Sequence, residues 1–308
     1  MKQEEVQLPG QQEAHSQRGA SQWAVAWRRF RRNKSGLGGL AMVAFFGLLA
    51  AYGLFLDPVP ARSYACLYQA CTNLAPFTNW AHPLGTEPSG IDVWQEIIHG
   101  SAGDLYVGIG ATAIAIAIGV VIGAVAGYRG GVAGALLLGI TQIFFTLPVL
   151  VFILLFARIF ILQVAAGFGL TLIVLILGFF GWASIAFIAR GEIFRIRELE
   201  YIQASKALGA SQSRILFRHI VPNILSSIIV VSSLLVAANI LTEVVISFLG
   251  FSDPSASTWG LILEEGLQYV RSSWWVSFFP GLAVVFCVLG FNLLGDGLSD
   301  ALNPRLRE

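Results

Sequence analysis

Few side chains in this 308-residue chain are able to do covalent chemistry, and their spacing keeps them apart. The histidines, His15, His82, His99 and His219, form no HExxH pair. With Cys66 or Cys71 they match no zinc-ligand spacing, so no metal site is expected. Cys66 and Cys71 lie close enough in sequence to bond in an oxidising compartment, but sequence alone leaves that pairing open. Cys287 stands in an apolar run and reads as a small core residue. No serine occupies a GxSxG elbow, and no lysine follows a GxxxxG loop. No residue is therefore read as catalytic, and the chain carries no P-loop with which to hydrolyse nucleotide. One ionisable group, Glu243, falls well inside an apolar stretch, while Asp296 and Arg158 lie near the ends of theirs. Such a group marks either a solute pathway or a hydrogen bond between helices, and Glu243 is open to both readings.

The elements that must position these residues are membrane spans. Mean hydropathy is +0.73 and 12% of residues are charged, against about 25% in a soluble domain. A bilayer span needs roughly 20 mostly apolar residues. Six stretches qualify, near Gly36–Leu56, Leu105–Gly127, Val132–Ala157, Gly167–Ala189, Asn223–Gly250 and Val276–Leu298, with a kink expected at Pro148. The fold class expected is an all-α polytopic membrane protein with six transmembrane helices. All Lys and Arg except Arg62, Arg158 and Arg271 fall on one side of this arrangement. Basic residues resist translocation, so that side, with both termini, is read as cytoplasmic. A net charge of +1 gives no bulk field for nucleic acid.

The domain reading follows. Residues 1–22 form a disordered tail, 23–35 a basic juxtamembrane helix resting on anionic lipid, 36–303 the membrane domain and 304–308 a short tail. Residues 57–104 make a long extracytoplasmic loop, within which "IDVWQEIIHG" reads as a short helix lying on the outer surface. "WGLILEEGLQYV" reads as a second. Gly119, Gly123 and Gly127 recur at four-residue spacing and suit close helix packing.

The most patterned polar segment is "EYIQASKALGASQSRILFRHIVPN", inside the cytoplasmic loop 190–222. Tyr201, Ala204 and Leu208 share one helical face. Gly209 can stop that helix in a left-handed cap, Ser211 can N-cap a second, and Pro222 closes the unit. Small residues at the bend would let another backbone approach closely. The pattern fits a docking knob or a piece resting on the inner leaflet.

This segment resembles the cytoplasmic "EAA" loop of ABC-importer permeases, with Gln203-Ala204-Ser205, then Gly209, then "RHIVPN". "HPLGTEPSGIDV", "AGYRGG", "LTEVVISFLG", "STWGLILEEG" and "FNLLGDGLSDALNPRLR" follow in order and resemble the dipeptide/oligopeptide permease family, in its DppC/OppC-type subunit. The departures are Gln203 for the motif's Glu, Ile91 and Ala102 for two arginines, and Gly134, Gly139 and Gln142 where charged residues usually start the third span. These departures remove salt bridges expected with a sister subunit.

The resemblance implies a type I ABC importer transmembrane domain in a prokaryotic cytoplasmic membrane. Its implied partners are a second homologous permease, two ABC ATPase subunits and an extracytoplasmic substrate-binding protein. ATP and Mg would be held by the ATPases, with no cofactor on this chain. The implied coupling residues are Glu200, Gln203, Ala204, Ser205, Gly209, Arg218 and Pro222. The implied cargo is di- or oligopeptide, with nickel chelate, glutathione or oligosaccharide as alternatives. A different class, an ion-driven secondary transporter, is disfavoured by the single mid-span carboxylate and the missing repeat.

Overall fold

Long runs of Ala, Leu, Ile, Val and Phe with few internal breakers fold here as long helices. The computed structural model describes residues 22–57, 71–160, 168–251, 253 and 255–302. Helix α1 spans Gln22–Phe30. Helix α2 (Lys34–Ala51) starts where the Asn33 side chain accepts the Gly36 N–H at 3.0 Å, and it runs on as a π turn over Tyr52–Leu56. Helix α3 spans Val93–Arg129, capped by Asp92, whose Oδ1 accepts the Trp94 N–H at 2.8 Å. Helices α4 (Gly131–Thr146) and α5 (Val149–Phe160) follow, then α6 (Gly169–Arg197). Short helices α7 (Glu200–Ala207) and α8 (Gln212–Ile215) lead through a π turn, Leu216–Ile220, into α9 (Val221–Phe248). Helix α10 spans Trp259–Gly266 and α11 Trp275–Leu302. Among the described residues, the one β pairing is an isolated bridge between Thr86 and Asp92.

Five segments are long and apolar enough to cross a membrane, and α4 with α5 makes a sixth if counted as one span. That pair corrects the kinked continuous helix expected over Val132–Ala157, because the two halves meet at 79°. Pro148 has no N–H to give, and its ring drives Leu147 into an extended conformation (ψ 135°), which ends α4.

A second correction concerns the outer loop. "IDVWQEIIHG" is not a surface helix: from Val93 onward it forms the first turns of α3, and Val93, Ile97 and Ile98 are buried. At 1.5 Å per residue α3 is about 55 Å long, well beyond the roughly 30 Å of hydrocarbon it must cross. Its surplus lies at the end where α10 packs. There Phe46, Val93, Ile97, Ile240, Trp259 and Val276 share one core. Residues 71–92 cover it. Thr86 Oγ1 donates to the Cys71 carbonyl at 2.7 Å, and Trp275 Nε1 donates to the Thr86 carbonyl at 3.1 Å. His82 Nδ1 lies 2.9 Å from Asp92 Oδ2.

Candidate functional site

The elbow of α7 and α8 is the most asymmetric part of the molecule. Helix α7 ends in a Schellman motif. Gly209, at φ +81°, donates its N–H to the Lys206 carbonyl, and Ala210 donates to that of Ser205. Ser211 then caps α8, accepting the Arg214 N–H at 3.4 Å. One face of the elbow is sealed: Ile202, Ile215 and Ile220 are fully buried and pack with Ile193, Ile196 and Ile224 in one apolar cluster. The other face is bare. Glu200, Gln203, Ala204, Gly209, Arg218 and Pro222 are exposed, Ser205 is half-buried, and Leu208 is 88% exposed. A Cβ added at Gly209 would touch nothing within 4 Å.

The π turn explains how the elbow joins α9 without changing face. Ile215, Ile220, Ile224 and Ile228 are all buried although the first step is five residues and the others four. A π turn advances by about one extra residue, so it keeps the five-residue step on the same side. Its closing bond runs from the Val221 N–H to the Leu216 carbonyl. Pro222 cannot donate, and the Asn223 side chain reaches back to the His219 carbonyl at 2.5 Å.

Gln203 has a use that the sequence did not announce. Its Nε2 donates to the Arg197 carbonyl at 2.9 Å and ties α7 to the end of α6. A glutamate could not donate there. Arg197 in turn donates to the carbonyls of Gly127 and Tyr128, at 2.9 and 3.2 Å, and so closes the end of α3.

Gly119, Gly123 and Gly127 lie where α3 runs along α6. An added Cβ would stand 2.6 Å from Ile185 Cβ, 2.7 Å from the Ala186 carbonyl and 2.9 Å from the Arg190 carbonyl, respectively. Among the departures, Gly134 has a steric reason: a Cβ there would meet the Ala126 carbonyl at 2.8 Å across the α3–α4 turn. Ala102 packs against the core around Trp259, Ile91 is half-buried, Gln142 is exposed, and Gly139 has open space. Of the expected cysteine pair, Cys71 is disulfide-bonded and Cys66 lies outside the described residues.

A cavity of about 460 Å³ opens between α4, α5, α6 and α9. Phe144, Leu150, Ile153 and Phe180 supply apolar wall, while Asn239 and Thr242 supply polar atoms. Among the described residues, no Asp, Glu, Lys, Arg or His lines it. Glu243 points elsewhere. It is fully buried, and its Oε1 accepts the Ser247 hydroxyl at 2.5 Å. Asp104, placed by the sequence in the outer loop, belongs instead to α3, which begins at Val93 and brings that residue, fully buried, into contact with Glu243. At the same α10 end, Glu87, Glu96 and Glu265 each bring one carboxylate oxygen within 4.8 Å of the others, though no metal-ligand spacing marked them.

Comparison with known proteins adds an independent line. A family described as "Binding-protein-dependent transport system inner membrane component" matches residues 119–308, and "N-terminal TM domain of oligopeptide transport permease C" matches 21–76. The chain is 38% identical over 288 residues to the dipeptide transport system permease protein DppC of Bacillus subtilis, covering 92% of this chain and 86% of that one. It is 34% identical to the oligopeptide transport system permease protein OppC of Escherichia coli K12, over 94% and 93% of the two chains. It is 32% identical to the glutathione transport system permease protein GsiD of Pectobacterium atrosepticum, over 93% and 92%.

Proposed function

The chain belongs to the binding-protein-dependent transport system inner membrane component family, and from that premise we propose that it is one half of the channel of an ATP-driven importer of short peptides. Dipeptides, oligopeptides and glutathione, named for its relatives, share peptide amides and small size, and that is the substrate class assigned. A second permease completes the channel, two ATPase subunits drive it, and an extracytoplasmic protein delivers the cargo. The cavity walled by Phe144, Phe180, Asn239 and Thr242 forms part of the path. With no charged group on its wall among the described residues, it leaves selection to the delivering protein.

The observation that carries this reading is the half-sealed elbow. Its bare face, with Ala204 and Gly209 at the bend, is low enough for another backbone to close on. Its sealed face is bolted by isoleucines to α6 and α9. β-branched side chains have little rotamer freedom, so a push on the elbow moves α9 and does not dissipate in side-chain motion. The basic residues of the elbow and of α1 support a cytoplasmic position. ATP binding then closes the ATPase pair, displaces the elbow and opens the cavity outward. Hydrolysis reverses it. The driving force is the motor's differential affinity for the two states.

The test is Gly209→Trp, with Gly209→Asn as control. Both must adopt φ +81°, at a cost of roughly 1–2 kcal/mol, less for Asn, which tolerates the left-handed region. Only Trp adds bulk to the bare face. In proteoliposomes holding the whole complex, Gly209→Trp should insert normally yet abolish substrate-stimulated ATP hydrolysis, while Gly209→Asn keeps it. Wild-type stimulation with Trp would remove the elbow from the coupling path.

A further inference from the structure

Asp104 and Glu243 are two carboxyl groups sealed in the middle of an apolar core, each with no exposed surface. They come from helices far apart in sequence, α3 and α9, and meet under the first residue of α10. Three close approaches enclose them. A Cβ on Gly100 would stand 2.6 Å from the Trp259 ring, one on Gly103 2.3 Å from the Ser257 carbonyl, and one on Gly260 2.6 Å from Ser247 Cβ. No room is left for a side chain at these three glycines.

The donors at this site account for half of the carboxyl oxygens. Asp104 Oδ2 accepts the Trp259 backbone N–H at 2.8 Å, one of the free amides at the start of α10. Glu243 Oε1 accepts the Ser247 hydroxyl at 2.5 Å. Asp104 Oδ1 and Glu243 Oε2 are buried and meet no N–H or O–H group. Each carboxyl lies against the other, and the Thr258 hydroxyl also faces Glu243. No Lys, Arg or His forms an ion pair with either among the described residues. The Cys287 thiol of α11 lies nearby and brings no charge.

Two carboxylates in contact in an apolar core, with no Lys, Arg or His paired to either among the described residues, repel strongly, and a hydrogen held between them removes that repulsion. We propose that Asp104 and Glu243 bind a single proton between them, and that this shared proton fastens the start of α10 to the crossing of α3 and α9. The Trp259 amide at the positive end of α10 holds Asp104 Oδ2, and the Ser247 and Thr258 hydroxyls face Glu243, so the charge that remains is met by donors on both sides. The pair sits off the cavity, whose wall takes Leu241, Thr242 and Val245 from α9 but not Glu243. The bound proton is thus a fixed part of the structure, outside the path of the cargo.

Infrared difference spectroscopy on the purified complex reads this directly. The wild type should show the carbonyl stretch of a protonated carboxylic acid at neutral pH, and that band should shift when aspartate and glutamate are carbon-13 labelled. In Asp104→Asn and in Glu243→Gln, each holding an amide N–H where the proton was, the band should shift or be lost while the subunit still copurifies with its partners. A band unchanged in both variants overturns the proposal. So does a wild type without any such band, which would mean that both groups are charged and that a metal cation, supplied as sodium or potassium in the buffer, lies between them. A wild type without a labelled band overturns the proposal even if neither variant assembles.

Discussion

The two ends of the long helix pair α3 and α6 differ in what they hold against the pair. At the α10 end, glycines bring backbone onto backbone, and polar groups are taken inside: Asp104, Glu243 and the Trp259 amide have no contact with solvent. At the other end Gly123 and Gly127 again bring α3 onto α6, but the elbow itself meets them through isoleucines, and every charged group of α7 and α8 stays outside. Steric contacts between backbones allow almost no movement without clash, and buried hydrogen bonds fix orientation as well as distance. A close-packed isoleucine cluster transmits a push but fixes orientation less strictly, because its attraction has no direction. The first end behaves as an anchor. The second is a joint whose outer face is free to be grasped.

Three substitutions sharpen or break this contrast. The largest effect is expected from Gly103→Leu. Its Cβ alone would stand 2.3 Å from the Ser257 carbonyl, so the loop before α10 must leave, costing more than about 3 kcal/mol. The yield of folded subunit from membranes should collapse; a normal yield would mean that the α10 end is pliable after all. Next is Ile220→Ala, which opens a void in the elbow cluster worth about 2–5 kcal/mol of packing. The subunit should still insert and bind its partners, with ATP hydrolysis no longer stimulated by substrate, since the joint has slackened while the anchor stands. Intact stimulation would show that the cluster carries no force. The smallest effect is expected from Gln203→Glu. It removes a donor to the Arg197 carbonyl, worth about 1 kcal/mol, and sets a negative group at the end of α6. Faster hydrogen exchange at residues 199–204 would register it, and unchanged exchange would assign the tie to other contacts.

Much of this architecture was legible in the sequence where local rules decide. Hydropathy located the spans, and Gly209 and Ser211 declared a stop and a cap because φ sign and side-chain acceptors are properties of single residues. Four things were not legible, each for a physical reason. The outer start of α3 was read as a separate surface helix because Gly100 and Gly103 weaken a helix in isolation; packing against Trp259 and Ser257 repays that cost. Asp104 was assigned to a loop for the same reason, and its partner lies on another helix, a relation no window along the chain can reveal. The bend at Pro148 was expected, but its size depends on how α4 and α5 pack, and proline alone sets no angle. Gln203 was read as a lost charge, whereas the amide's donor ability is what the fold uses.

The turn over Leu216–Ile220 makes the chain one residue longer than an ordinary helix would need to link α8 to α9. Deleting any single residue there would let the segment close as a plain α-helix and swing α7 and α8 by about 100° around the axis of α9. The heading of the elbow's bare face is therefore written as a residue count, a phase offset that no nearby side chain could restore.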